Sequence, residues 1–572
     1  MRKSFGAAMV ALLVIGLAPA GLARSIQPRL DAGERGRPEV TVTAQDALSR
    51  SLQAGKLSPA RYALERARSL FDLASVRSRY GHVKRVAPRD ATSILRDLAL
   101  HRPALRGQDR AAADRILARP TDPSEGEVDY GSASTMTECL ELFCVHWATS
   151  GPHAPTLTDA SGNGVPDWVD SVMAELDYIL GSYTEMGYQA VKSDLASSEN
   201  GGDGRPDIYL ADVGADSLYG YCTTDDPNTE LYPNSYNGLD FSAYCVIDED
   251  FAASQFPANT PTENMQVTAA HEYFHAVQFG YDAGDDTWFL ESTAAWVEDV
   301  LYNDINDNYQ YLLQSAITYP DFSIDYTDDG DYSGLRYGQW LFFRYLTERF
   351  GDGTTHDVAF IRSLWERAAY RDAYPDDVDD YSILAIENEL AARGYDFTDV
   401  FADFSMFNWV IELAYEEGVE YFQFFLDTGA SPRPYSVGDF KIKKTRPKTG
   451  NLSYDSVHLS AANSTFKPAK GVTSGAKLLL KVDGPGSAVS PVARYVVFYK
   501  SGLPDFGEIA LDGQGVGKKK VPFGKGTVAY VALVLVNAST RYSDCGSGYV
   551  YACGGLPRDD YARFVWSGTL KQ

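Results

Sequence analysis

The sequence predicts a multidomain fold in which an α-helical N-terminal region and a C-terminal β-sandwich flank a central α+β domain. The chain has 572 residues, and at about 150 residues per domain this length corresponds to three or four domains. The formal charge changes sign twice, from +12 over residues 1–120 to −50 over 121–430 and +11 over 431–572. The predicted elements change with the charge, from helices to mixed helices and strands and then to strands.

Residues 1–23 have the features of a secretory signal peptide. Arg2 and Lys3 precede an apolar run over 7–18, and small residues follow it as far as Ala23. The run is too short to span a bilayer, and no other stretch approaches the ~18 uncharged apolar residues that a span needs. We therefore expect a secreted, extracellular chain with no transmembrane segment after cleavage; an uncleaved anchor helix is the alternative.

Residues 24–126 form a basic region that is rich in Arg, Ala and Leu. Helical periodicity is clear over 62–71 and 93–100. A basic region between a signal peptide and an acidic domain suggests a propeptide, or pro-region, that covers the acidic domain during folding. A permanent helical N-terminal domain explains the same features. Polar turn residues over 120–126 mark the expected boundary.

Residues 127–434 and 435–572 differ in their periodicity. The first part mixes short strand patterns with longer helical patterns, which predicts α+β structure; the predicted helices cover 168–186, 263–279, 290–302 and 338–350. The second part contains apolar strands separated by Gly, Pro and Ser, which predicts the β-sandwich.

Charge and cysteine content narrow the class of protein. A net charge of −27 argues against a nucleic-acid binder, because phosphate contacts need a basic face. The six cysteines fall into close pairs, which suggests local disulfides and agrees with export: Cys139 with Cys144, Cys222 with Cys245, and Cys545 with Cys553. Because no C-x-x-C occurs, a zinc–thiolate site is disfavoured.

The most informative motif is H-E-x-x-H, spelled His271-Glu272-Tyr273-Phe274-His275. On a helix, positions i and i+4 share a face, so both imidazoles can bind one metal while Glu272 acts on a metal-bound water. Glu291, sixteen positions after His275, is the candidate third ligand of a zinc site with one open position. Glu298, two turns further on, is the alternative ligand or a residue that supports one.

These motifs resemble the gluzincin zinc metallopeptidases. In that group H-E-x-x-H is followed by W-[FL]-x-E-x-x-A-x-[WY], here from Trp288 onward, and the resemblance implies a zincin-like catalytic domain over 127–434. More closely, the chain is similar to a family of secreted bacterial metalloproteases. The matching stretches are 144–151, 162–169, 204–210, 271–280, 288–299 and 337–351.

The resemblance implies the roles of individual residues. His271, His275 and Glu291 would bind Zn2+, and Glu272 would be the general base. Tyr337 resembles a helix-start tyrosine that stabilises the oxyanion in this group; a packing role is the alternative. The chain departs from the group in its shorter spacing between His275 and Glu291 and in having Ala295 where thermolysin-like enzymes have a supporting Asp. G-x-M-E-N is absent, which favours an endopeptidase over an aminopeptidase.

A loop over 159–170 has the spacing of a calcium-binding loop. Its oxygen donors stand at positions 1, 3, 5, 7, 9 and 12, and are Asp159, Ser161, Asn163, Val165 (carbonyl), Asp167 and Asp170. Asp at position 12, Pro at position 8 and the lack of a preceding helix argue against a full EF-hand. A loop that caps the following helix without Ca2+ is the alternative.

The sequence therefore predicts a secreted zinc metalloendopeptidase that acts on proteins or peptides. Through its positive charge, the basic C-terminal domain could bind an anionic cell surface or the chain's own acidic domain; a passive spacer domain is the alternative. A non-catalytic secreted adhesion protein with a vestigial zinc site is the alternative function. Glu272 separates the two, because a purely structural zinc site does not need it.

Overall fold

The computed structural model describes residues 47–87, 89–122, 126–230, 240–327, 332–351, 357–369, 380–548 and 550–571. The described part of the chain begins with five α-helices. They are α1 (Ala47–Gln53), α2 (Pro59–Phe71), α3 (Leu73–Tyr80), α4 (Ala91–His101) and α5 (Gly107–Ile116). Ser58 accepts a hydrogen bond from the Arg61 amide and so caps α2, with Pro59 in its first turn. The helical prediction for this region is confirmed where it is described; the signal peptide predicted over 1–23 lies outside the described residues.

In the described residues of the central part, one mixed sheet combines with ten α-helices. The strands are β1 (Thr135–Cys139), β2 (Cys144–Ala148), β3 (Asp207–Leu210), β4 (Gly220–Thr223) and β5 (Tyr244–Ile247). The helices are α6 (Asp167–Glu185), α7 (Pro261–Asp282), α8 (Thr287–Leu301), α9 (Leu335–Gly338), α10 (Trp340–Phe350), α11 (Val358–Ala368), α12 (Ser382–Ala392), α13 (Phe397–Phe407), α14 (Ile411–Ala414) and α15 (Gly418–Asp427). The α+β prediction is confirmed.

The central sheet has the strand order β1-β2-β3-β5-β4. Strands β2, β3 and β5 are parallel, whereas β4 is an antiparallel edge strand paired with β5. Alternate residues point to opposite faces, so Ile208 and Leu210 pack with α6 and α7 while Tyr209 faces the N-terminal helices. The sheet is therefore covered on both faces, as its parallel strands require.

The N-terminal helices share an apolar core with the sheet. Leu64 of α2, Leu95 and Leu98 of α4 and Ile116 of α5 belong to one buried cluster with Tyr209, and the other sheet residues in it include Ala148, Tyr221, Tyr244 and Val246. This arrangement makes the helices a structural layer on the central sheet.

Arg119 fixes the end of this helical layer to the central part. Its guanidinium is 1% exposed and forms ion pairs with Asp194, Asp207 and Asp225, and the Asp194 pair measures 2.8 Å. Its planar charge also stacks over the Tyr244 ring at 4.9 Å. Three carboxylates therefore depend on one buried cation.

We expect Arg119→Met to lower the free energy of unfolding by about 3–5 kcal/mol, because it leaves buried carboxylates without their cation. Urea unfolding of the full chain measures this loss. Arg446→Met is the matched control, since Arg446 is exposed and its loss should change stability by no more than about 0.5 kcal/mol. Equal stability of the two variants would contradict the prediction.

The C-terminal strands form two sheets that enclose an apolar core. The strands are β6 (Gly438–Ile442), β7 (Leu452–Ser456), β8 (Ser460–Pro468), β9 (Lys477–Asp483), β10 (Pro491–Tyr499), β11 (Asp505–Glu508), β12 (Val516–Pro522), β13 (Val528–Asn537) and β16 (Ala562–Lys571), with a two-strand pair of β14 (Tyr542–Ser543) and β15 (Leu556–Pro557). The first sheet has the strand order β11-β10-β13-β8-β6, and the second has the order β12-β9-β16-β7. Phe466, Leu480 and Trp566 lie between the two sheets. This is the arrangement of a β-sandwich.

The sandwich contacts the helices of the central part directly. Val496 and Val534 on the outer face of the first sheet belong to the main core together with Phe401 of α13. Arg494 pairs with Asp399 of α13 at 2.8 Å. All of the described residues belong to one compact unit.

The three predicted local disulfides are confirmed. They join Cys139 to Cys144, Cys222 to Cys245, and Cys545 to Cys553. Such bonds persist in oxidising compartments and are consistent with an extracellular protein. Among the described residues, no helix combines the length and the apolar character that crossing a bilayer requires.

Candidate metal centre

Helix α7 carries the H-E-x-x-H motif through the middle of the molecule. Thr260 and Glu263 form a capping box, in which each side chain accepts a hydrogen bond from the backbone amide of the other. Pro261 occupies the first turn, where its missing amide hydrogen costs nothing. The helix is buried along most of its length, so both histidines of the motif are fully buried.

Glu291 of α8 meets both histidines, as the sequence predicts. Its Oε2 lies 3.3 Å from Nε2 of His271 and 3.5 Å from Nε2 of His275. One ligand atom from each of the three residues lies within 4.8 Å of the others, and all three are buried. Two imidazole nitrogens and one carboxylate oxygen are a ligand set that suits zinc.

Each histidine is oriented through its other ring nitrogen. Nδ1 of His271 lies 2.6 Å from Oε1 of Glu298, and Nδ1 of His275 lies 2.6 Å from Oε1 of Gln278. Gln278 is itself held by a hydrogen bond from its Nε2 to the Leu290 carbonyl, 3.0 Å away. Such outer partners fix the tautomer in which Nε2 is free to bind a metal. Glu298 is thus placed to support His271, while Glu291 is placed among the ligand atoms.

The histidines and carboxylates of the centre change one another's pKa values. Burial alone would lower the pKa of His271, but hydrogen bonds to Glu291 and Glu298 raise that pKa to about 10. Burial opposes ionisation of Glu291, yet the two histidines hold its pKa well below its usual range. Nε2 of His275 and Oε1 of Glu291 are buried and have no hydrogen-bond partner among the described residues. A metal ion would satisfy both atoms.

Glu272 lies beside this cluster and contacts the N-terminal layer. Its Oε2 accepts a hydrogen bond of 2.6 Å from the Thr92 hydroxyl of α4, while its Oε1 has no partner among the described residues. Thr92 in turn accepts a hydrogen bond of 2.8 Å from the Cys222 amide of β4. Edge strand β4 passes close to this side chain, since a Cβ placed on Gly220 would lie 3.2 Å from Cγ of Glu272.

Tyr337 of α9 is also at the centre. Its ring lies 6.0 Å from the His271 ring and stacks on Tyr311 at 4.9 Å. Burial and the negative charges of Asp90 and Glu291 raise the pKa of Tyr337 well above its usual value, so the hydroxyl remains a hydrogen-bond donor. It donates to Oδ1 of Asp90 at 2.8 Å.

The sequence did not indicate three of these residues. Gln278 stands three positions after His275, a spacing that puts both on one side of the helix and could have suggested the contact. Asp90 and Thr92 lie about 180 to 250 positions from their partners, and no local pattern connects them.

The predicted calcium loop is held by its own hydrogen bonds. The Asp159 carboxylate accepts from the amides of Gly162 and Gly164 at 2.7 and 2.9 Å. Asp167 accepts from the Ala160 amide, and Asn163 donates to Asp170. Backbone hydrogen bonds, led by that from Gly164, lower the pKa of Asp159. Binding of Ca2+ by Asp159, Ser161, Asn163, Val165, Asp167 and Asp170 remains a prediction.

A second group of carboxylates follows the ends of strands β3 and β5. Asp212, Asp248 and Glu249 place one oxygen each within 4.8 Å of one another. Asp248 accepts hydrogen bonds from the amides of Gly214 and Phe251. Burial and the neighbouring Asp248 raise the pKa of Glu249 to about 9, so this side chain retains its proton at neutral pH.

We expect Glu249→Gln to stabilise the fold at pH 8. The folded-state pKa of Glu249 exceeds its unfolded value, so the wild type loses stability as pH rises from about 4.5 towards 9. Glutamine removes this loss, which is at most about 5 kcal/mol at pH 8 and about 1 kcal/mol at pH 5. Urea midpoints of both proteins at the two pH values measure it. A less stable variant at pH 8 would show that the carboxylate is ionised.

Comparison of the chain with protein-family models, with curated proteins and with solved structures returns no match.

Proposed function

We propose that the protein is a secreted, zinc-dependent metalloendopeptidase with Glu272 as its general base. The observation that carries the proposal is the convergence of His271, His275 and Glu291 on one buried point, with Glu272 adjacent on the same helix. Two histidines and one carboxylate leave a fourth position for water or substrate, which is typical of catalytic zinc sites. A structural zinc site has four protein ligands and no use for a neighbouring base.

The side chains of the centre divide the steps of peptide hydrolysis between them. The chemistry that zinc supplies when bound is Lewis acidity toward the scissile carbonyl and acidification of a water. Glu272 takes the proton of the attacking water and later delivers a proton to the leaving amine. Tyr337, which stays protonated, donates a hydrogen bond to the oxyanion that forms at the carbonyl oxygen.

The remaining features fit an exported hydrolase. The signal peptide predicted over 1–23 and the three disulfides agree with an oxidising compartment. The basic region over 24–126 would act as the pro-region. The sandwich, where residues 431–572 carry a net charge of +11, would provide the surface for an anionic cell envelope.

Zinc content and casein hydrolysis of the purified protein test the proposal. We expect about one zinc per chain, as a His₂Glu site binds a single ion, and hydrolysis that a chelator abolishes. Absence of zinc would overturn the proposal and favour the adhesion function. Bound zinc without hydrolysis points to a centre that substrate cannot reach.

A further inference from the structure

The candidate metal centre is closed to solvent. His271, Glu272, His275 and Glu291 are at most 1% exposed, and Tyr337 is 2% exposed. A peptide substrate must reach these five side chains. Some part of the structure must therefore move before hydrolysis can begin.

Residues 89–92, at the start of α4, close the centre and are named here the blocking segment. Thr92 places its hydroxyl 2.6 Å from Oε2 of Glu272, and Asp90 places Oδ1 2.8 Å from the Tyr337 hydroxyl. Both side chains are buried, at 1% and 2% exposure. The segment thus occupies the polar groups that hydrolysis would use.

The two contacts resemble hydrogen bonds that the proposed reaction requires. A general base accepts a hydrogen bond from the O–H of the attacking water, and at Glu272 that donor is the Thr92 hydroxyl. An oxyanion-stabilising group donates to a negatively charged oxygen, and at Tyr337 that acceptor is the Asp90 carboxylate. The blocking segment presents these two groups from neighbouring positions of one chain.

We propose that the blocking segment is an intramolecular inhibitor that holds the centre in a latent state by occupying the places of the attacking water and the oxyanion. The inference rests on the proposed function and specifies how the N-terminal region regulates it. Activation requires displacement of residues 89–92 from Glu272 and Tyr337, by cleavage of the chain or by a partner that moves α4.

Two arginines, one in the blocking segment and one in the helix that follows it, contact α8 and the residues on either side of α8. Arg89 pairs with Glu298 at 3.3 Å and with Asp307 at 2.9 Å. Arg96 donates to the Asp285 carbonyl at 2.9 Å and to the Thr287 hydroxyl at 2.9 Å. Glu298 also orients His271, so the partner of Arg89 belongs to the candidate metal centre.

The test uses the full chain carrying Asp90→Asn and Thr92→Val together, substitutions that keep the size of both side chains. Zinc-free protein is treated with diethyl pyrocarbonate, and modification of each histidine is followed by mass spectrometry. Loss of two buried hydrogen bonds should favour local opening and raise the modification rate of His275 by about tenfold to a hundredfold. The rate is expressed relative to exposed His82 in the same molecule.

Other histidines distinguish local opening from unfolding. His146 and His458 are buried, at 3% and 1% exposure, away from the blocking segment, so their modification should not change. If all buried histidines react faster, the single variant Asp90→Asn replaces the double one. Asp114→Asn is the matched control, since Asp114 is exposed on α5. Unchanged His275 reactivity in folded Asp90→Asn/Thr92→Val protein would overturn the inference.

Hydrolysis by the zinc-loaded variants separates this inference from the proposed function. Faster modification of His275 together with faster casein hydrolysis supports both. Faster modification with no hydrolysis keeps the blocking role and overturns the peptidase. Wild-type protein that hydrolyses casein as fast as the double variant overturns the blocking role and keeps the peptidase.

Discussion

We expect Glu272→Gln to remove most of the peptide hydrolysis and to leave zinc bound. Glutamine keeps the size of the side chain, but it cannot take a proton from water. A positioned general base contributes about 10²- to 10⁴-fold to rate, so kcat should fall by that factor. Because Glu272 is not one of the three converging ligands, zinc content should remain that of the wild type.

The experiment compares kcat and zinc content for the wild type, Glu272→Gln and a control, each in the Asp90→Asn/Thr92→Val background so that the centre is accessible. Glu185→Gln is the matched control, because Glu185 is exposed at the end of α6. It should leave both quantities unchanged. Full activity in Glu272→Gln would exclude the mechanism, since the mechanism assigns the proton transfer to Glu272.

The arrangement of side chains in the candidate metal centre could be predicted in part, because the helix that carries two of them has a local sequence signature. The capping box at Thr260 and Glu263 and the spacing of His271 and His275 are properties of one helix, and α7 spans 261–282 where the sequence predicts 263–279. The choice between Glu291 and Glu298 depends on how α8 crosses α7. That crossing is set by the packing of side chains that are far apart in sequence. The sequence pattern therefore could not decide which of the two glutamates is the ligand.

The closed state of the centre could not be predicted for the same reason. Helical periodicity over 93–100 predicts α4 but does not say which surface it covers. Its position depends on an apolar face made by Tyr209, Tyr221 and Tyr244, which come from three different strands. The basic charge of the region suggested a cover for the acidic domain, but the residues that enter the centre are neutral Thr92 and acidic Asp90.

Glu291→Gln and Glu298→Gln are expected to differ sharply in zinc affinity. The two substitutions are the same chemical change on one helix, seven positions apart, and both sites are buried. Glu291 faces Nε2 of both histidines, so a neutral amide there removes a ligand and the charge that balances the ion. Of the two histidines, Glu298 contacts only His271, through its outer nitrogen, and loss of such a partner costs about 10- to 100-fold in affinity.

Competition with a chromophoric chelator in the Asp90→Asn/Thr92→Val background measures both affinities. We expect Glu291→Gln to weaken zinc binding by more than the roughly 100-fold upper limit for an orienting residue, and Glu298→Gln to stay within it. The reverse order would make Glu298 the ligand and Glu291 the supporting residue. Since Arg89 also pairs with Glu298, loosening this carboxylate should additionally raise the modification rate of His275 in an otherwise wild-type chain. Glu298 thus contacts both a proposed ligand, His271, and the blocking segment, through Arg89.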